Sequence, residues 1–209
     1  MVASLVIGVD LDNTLVSYDE VMYRVALQRG LIPEGLKKSK QAIRDAIRRS
    51  QAGDRAWHGV QAAAYGERME EAQLIDGVAA FFARCRRMGA KVYIVSHKTE
   101  WPGGDVRPVH LREAATAWMR HHRFFENDGM GLSDRDVYFE PAREKKLARI
   151  GRLGCTHFID DLVETFLEPS FPDGVRKLLY APHGASMIPD VRTFTTWKEI
   201  SDFFFDSGS

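Results

Sequence analysis

Four carboxylates, one serine and a pair of lysines stand where apolar runs of this chain give way to polar residues. Asp10, Asp12 and Thr14 follow the run Ser4-Leu-Val-Ile-Gly-Val9. Ser96 and His97 follow Lys91-Val-Tyr-Ile-Val95, and Asp160 and Asp161 follow Thr156-His-Phe-Ile159. Lys145 and Lys146 fall near the start of a helical pattern over residues 142–153. Two carboxylates one residue apart cannot both point the same way from a regular strand, but at a strand end the chain turns and both can face one cleft. Like charges that close resist ionising, and a cation relieves the conflict. Carboxylates from separate loops suit Mg²⁺, which favours carboxylate, water and phosphate oxygens. A carboxylate held this way can attack phosphorus and form an aspartyl-phosphate. A second carboxylate can protonate the leaving alkoxide and later take a proton from water. A hydroxyl and a lysine can hold the phosphoryl oxygens against the charge that develops on them.

Such a site needs a frame that brings separate strand ends together. Short apolar runs ending in polar turns read as strands buried on both faces. Weaker candidates are residues 136–139 and 176–180. Between them lie helical patterns: Val78, Phe81, Phe82, Cys85 and Met88, closed by Gly89; Leu111, Ala114, Ala115, Trp118 and His122, with Pro108 near the start; and residues 142–153, with Leu147 and Ile150 inward. Strands alternating with helices predict an α/β protein, a three-layer Rossmann-like parallel sheet whose ligands bind beyond the carboxyl ends of its strands. Residues 16–73 break the alternation. They read as helices at about 18–29, 36–51 and 55–70, punctuated by Gly30, Pro33, Gly35 and Gly53. The tail from Phe203 starts apolar and reads as a frayed terminus.

The chain has 209 residues, with 29 Lys plus Arg against 29 Asp plus Glu. A zero net charge disfavours general nucleic-acid binding, which rests on excess positive charge. No apolar run approaches the roughly 18 residues of a membrane span, and no secretory leader is expected. Cys85 and Cys155, the two cysteines, cannot build a disulfide scaffold, so a reduced, cytoplasmic protein is expected.

The order Asp10-Leu-Asp-Asn-Thr14, then Ser96, then Lys146 (or Lys145), then Asp160-Asp161 resembles the haloacid dehalogenase-like (HAD) superfamily. The resemblance covers about residues 4–182. It implies that Asp10 is the nucleophile and a Mg²⁺ ligand. It implies that Asp12 is the general acid/base and binds the metal through its backbone carbonyl, and that Thr14 stabilises the first loop. Ser96 would bind the phosphoryl group, Lys146 would pair with Asp10 and the phosphate, and Asp161 would be a direct metal ligand supported by Asp160. The division implied is a core of residues 1–15 and 74–209 with a helical cap of residues 16–73, which excludes water and reads the leaving group. Dehalogenases of the superfamily attack carbon and lack an acid/base Asp at the second position. Asp12 therefore favours a phosphatase of small phosphorylated metabolites. A phosphotransferase or phosphomutase, or a non-catalytic phosphate- or metal-binding domain, are the alternatives.

Several residues carry two readings. His97 is a candidate substrate contact or a satisfied polar group, and Lys98 is a rival phosphate ligand. Lys37, Lys40, Arg44 and Arg48 follow helical spacing as an electrostatic guide or a solvated face. Trp57, His58 and Tyr65 line a pocket or fill the cap's core. His121 and His122 read as a helix end, and the cysteines as inert core. The Gly/Pro loop 100–108 opens beside the expected site as a gate or a substrate contact.

Overall fold

The computed structural model describes residues 5–51, 53–103, 109–184 and 187–206. The chain begins with β1 (Val6–Val9) and β2 (Val16–Ser17), then three helices, α1 (Asp19–Gln28), α2 (Lys40–Arg48) and α3 (Gly53–Tyr65). A 3-10 turn at Met69–Glu71 leads to β3 (Gln73–Leu74), α4 (Val78–Arg87), β4 (Lys91–His97) and α5 (Leu111–His121). The remainder alternates: β5 (Val137–Glu140), α6 (Arg143–Arg152), β6 (His157–Asp160), α7 (Val163–Leu167), β7 (Arg176–Tyr180), β8 (Val191–Phe194) and α8 (Trp197–Phe205). By its contacts the chain divides into two compact units, residues 1–15, 74–98 and 122–209, and residues 16–73 with 99–121.

The first unit holds a six-stranded parallel sheet in the order β5-β4-β1-β6-β7-β8, and β2 and β3 form a separate two-stranded pair. The sheet order reverses direction at β1, which makes the crevice between β1 and β6 a topological switch point. The apolar runs are continuous rather than alternating because both faces are covered. On one face Val95 of β4, Phe158 of β6 and Leu179 of β7 pack with Leu147 and Ile150 of α6 and Phe166 of α7. Strand alternation sends Tyr180 and His157 to the other face. There Tyr180 meets the Trp197 ring at 6.0 Å and His157 meets Phe204 at 4.9 Å, while Phe81 of α4 reaches Trp197 at 5.0 Å. Gly8 on β1 is needed for space, since a Cβ there would stand 2.6 Å from Cδ2 of the buried Phe158 ring.

The second unit is helical. Ile43 and Ile47 of α2 are fully buried, and Tyr18 and Tyr65 pack edge to face at 4.5 Å. Ser39 caps α2 by accepting from the Ala42 N–H at 3.3 Å. The sequence division left residues 99–121 with the sheet, but they cluster with the helices. The reason lies in α5, whose buried Trp118 donates its indole N–H to the carbonyl of Ala72 at 2.8 Å.

Two other expectations change. The tail is not frayed from Phe203, because Phe203, Phe204 and Phe205 belong to α8, which opens with a reciprocal Thr196–Glu199 capping box. Residues 207–209 lie outside the described residues, as do 104–108 of the Gly/Pro loop. Lys37 precedes α2 and so does not continue its stripe; Arg44 and Arg48 are ion-paired with Asp45 and Asp54 at 3.0 and 2.6 Å. Among the described residues no helix is long and apolar enough to cross a membrane.

Candidate active site

The sheet register brings the expected residues to one edge. Val9 pairs with Ile159 and with Ile94, so the next positions, Asp10, Asp160 and the Ser96 end of β4, share the carboxyl edge at the switch point. Asp10 is pinned there by its own N–H, which donates to the Ile159 carbonyl at 2.9 Å. Beyond Asp10 the chain turns through Asn13 at φ 60°, a left-handed conformation that Asn tolerates well. The turn directs Thr14 inward. Its carbonyl accepts from the Trp197 indole at 2.9 Å, and its hydroxyl reaches Asp161 at 3.4 Å.

Lys146 ties the two carboxyl edges together. Its ammonium donates to Asp10 Oδ1 and Asp160 Oδ2, both at 2.7 Å, and only 3% of its side chain is exposed. Lys145, one residue earlier on α6, is exposed. The other Asp160 oxygen accepts from the Leu162 N–H at 2.9 Å. Asp160 is thus fully buried with both oxygens engaged.

Carboxylate oxygens of Asp10, Asp160 and Asp161 lie within 4.8 Å of one another. These hard oxygen donors from two loops fit a metal ion. Asp161 is the more accessible of the adjacent pair, which suits it to direct ligation, while Asp160 anchors Lys146 and the Leu162 backbone.

Burial is the largest influence on Asp10 and, with Asp160 and Asp12 nearby, outweighs Lys146, raising its pKa to about 6. Lys146 moves upward despite burial, because Asp10 and Asp160 favour its charged form.

Ser96 is 1% exposed, and its hydroxyl has no hydrogen-bond partner among the described residues. Buried polar atoms are normally satisfied, so this hydroxyl is suited to receive a polar ligand. His97 is exposed. Partial desolvation lowers its pKa, aided by Lys146 and Arg143 and opposed by a hydrogen bond to the Pro141 backbone.

Asp12 does not join the cluster of three carboxylates through its side chain. Both of its oxygens instead accept from Lys98, at 2.9 and 2.7 Å. Lys98 is 3% exposed, and its backbone N–H is held by the Glu140 carbonyl at 2.9 Å. The sequence offered Lys98 as a phosphate ligand; its pairing with Asp12 had no signal in spacing, because the two residues meet only through the β1–β4 register. In the helical unit Trp57 is buried core, while His58 and Tyr65 line a cavity of about 440 Å³ with Gln61, Thr99 and Leu111. Cys85 and Cys155 are buried, and desolvation pushes their thiols up to about 12 and about 11.

No protein-family model matches the sequence, and no curated protein matches it. Solved structures do. A HAD family hydrolase from Deinococcus radiodurans R1, with bound phosphate and sodium, superposes with a TM-score of 0.61 at 16% identity, covering 98% of this chain and 96% of that one. Protein Tyrosine Kinase A (PtkA) of Mycobacterium tuberculosis gives 0.63 at 15% identity, covering 98% and 100%. The putative HAD-hydrolase YfnB from Bacillus subtilis, bound to magnesium, gives 0.55 at 14% identity, covering 97% and 99%. A chain described as a dehalogenase is also among the matches. At these identities the likeness speaks to architecture, and chemistry must be argued from the site. On that basis the chain has the α/β fold of the HAD-superfamily hydrolases, with six parallel strands flanked by helices.

Proposed function

We propose that the protein is a HAD-superfamily hydrolase, a Mg²⁺-dependent phosphatase that releases phosphate from a small phosphorylated metabolite through an aspartyl-phosphate on Asp10. The observation that carries this reading is the convergence of Asp10, Asp160, Asp161 and Lys146 at the sheet's switch point. The clustered carboxylates of Asp10, Asp160 and Asp161 face one buried ammonium, Lys146. The excess of two negative charges matches one divalent cation. A Mg²⁺ held by Asp10, Asp161 and the Asp12 carbonyl would screen the nucleophile from the phosphoryl oxygens.

Asp10 attacks phosphorus and the ester oxygen leaves with a proton from Asp12. Asp12 then takes a proton from water, which attacks the phosphoryl group and frees Asp10. Lys146 and the Ser96 hydroxyl bind the phosphoryl oxygens, Thr14 steadies the loop that carries Asp12, and His97 contacts substrate at the rim. The helical segment inserted after the first motif, residues 16–73, serves as the cap, with residues 99–121 packed alongside it in the same unit. Asp12 favours attack on phosphorus over carbon–halogen cleavage, since only the former needs a proton delivered to an alkoxide. The buried, high-pKa thiols suit a reducing cytoplasm.

The test is phosphate release from 4-nitrophenyl phosphate and a panel of sugar, nucleotide and acid phosphates, with Mg²⁺ and with EDTA. Metal-dependent turnover that disappears in Asp10→Asn supports the reading. Absence of turnover on every ester, or turnover that survives Asp10→Asn, defeats it.

A further inference from the structure

We infer that Lys98 is a positioning residue for the acid/base step, acting through Asp12 rather than on the phosphoryl group; this rests on the phosphatase reading above. Lys98 follows β4, whose register sets His97 beside Glu140. Its main chain is fixed by the Glu140 carbonyl at 2.9 Å, and its side chain runs inward to be 3% exposed. Burying an ammonium carries a large desolvation penalty, which a well-placed carboxylate offsets. Here the carboxylate is Asp12, gripped through both oxygens at 2.7 and 2.9 Å.

Asp12 lies just before Asn13, where the chain turns at φ 60°. A two-point grip from Lys98 fixes the direction in which the Asp12 carboxylate points. Proton transfer requires the carboxyl oxygen to lie within hydrogen-bond reach of the ester oxygen, and a displacement of about 1 Å can cost on the order of 10²-fold in rate. Lys146 already serves Asp10 and Asp160. The two lysines thus divide the work: Lys146 orders the nucleophile and Lys98 orders the proton carrier.

This assignment differs from a phosphate-binding Lys98 in what its removal slows. Losing a phosphate ligand slows all esters alike and raises KM. Losing the alignment of Asp12 slows only the steps that move a proton. The experiment compares wild type, Lys98→Met, Lys98→Arg, Asp12→Ala and Asp12→Ala/Lys98→Met on an alkyl phosphate and on 4-nitrophenyl phosphate, whose leaving group needs little protonation. Lys98→Met is expected to lower kcat on the alkyl ester by about 10²-fold with KM little changed. On the aryl ester it is expected to leave a fast burst of nitrophenolate followed by slow turnover, because water attack still needs Asp12. Lys98→Arg, whose guanidinium can hold both oxygens, is expected to recover most of the rate. The double variant is expected to be no slower than Asp12→Ala, within about twofold.

Losses that multiply in the double variant, or an equal loss of the first, ester-cleaving step on both esters, overturn the inference. If Lys98→Met does not fold, Lys98→Gln replaces it in the same cycle. Reductive methylation read by mass spectrometry probes the pairing without activity. Lys98 is expected to be protected in wild type and to react faster in Asp12→Ala, and equal reactivity counts against the pairing. Inactivity of wild type on every ester would instead count against the phosphatase reading, leaving the labelling result to decide the Asp12–Lys98 contact.

Discussion

Replacing Asp10 by Asn should stabilise the metal-free protein while abolishing its turnover. Asp10 titrates near pH 6 in the folded chain against an ordinary 3.8, chiefly because burial opposes its charge. Below pH 3.8 the carboxyl is protonated in both the folded and unfolded states and makes no difference to stability. Between 3.8 and 6 the unfolded chain releases its proton first, so stability falls as pH rises; above 6 the penalty is complete. At about 1.4 kcal/mol per pH unit the full penalty is about 3 kcal/mol. The substituted amide never ionises, keeps a carbonyl for Lys146, and leaves Lys146 its 2.7 Å contact with Asp160. In EDTA, thermal unfolding of wild type and Asp10→Asn should therefore diverge as pH rises from about 4 to about 6 and then run parallel. The variant should melt about 5–10 °C higher at about pH 8. A variant less stable than wild type under those alkaline conditions, or a gain independent of pH, would refute the claim that the buried carboxylate is held at a cost.

Ser96→Ala should leave stability within about 1 kcal/mol, since it removes a buried hydroxyl that has no partner among the described residues, yet should lower kcat/KM about 10²-fold. Denaturant unfolding and initial rates check both halves. Lys146→Met should destabilise the metal-free chain by about 3–5 kcal/mol, because Asp10 and Asp160 lose their shared buried ammonium; urea unfolding in EDTA reads this. Gly8→Ala should cost about 1–3 kcal/mol, since its Cβ would meet the Phe158 ring at 2.6 Å; the same unfolding assay checks it.

The parts of this protein legible in its sequence are those where local chemistry and tertiary role coincide. β1, β4 and β6 are continuous apolar runs because both sheet faces are covered, and their polar ends mark the carboxyl edge. Leu147 and Ile150 fix the inward face of α6, and the same face carries Lys146 to Asp10. Other features were hidden for identifiable reasons. β8 carries Arg192 and Thr193 between Val191 and Phe194, so it shows no apolar run to separate it from a loop. α8 was missed although Thr196 and Glu199 cap it, because its three consecutive phenylalanines masked the helical period. Residues 99–121 sort with the helical unit through Trp118 and the Ala72 carbonyl, a contact that spacing along the chain cannot reveal. Lys98 was visible as a cation but not as the partner of Asp12, because β-register and side-chain direction decide that contact.

Acid quench of the protein during turnover of a phosphate ester with Mg²⁺, followed by peptide mass spectrometry, reads the covalent intermediate itself. A phosphoryl adduct on Asp10 is expected, enriched in Asp12→Ala, where hydrolysis of the intermediate is slowed and an activated aryl ester still loads the nucleophile. A phosphoryl group on another residue, or turnover with Asp10 unmodified in both proteins, would contradict it.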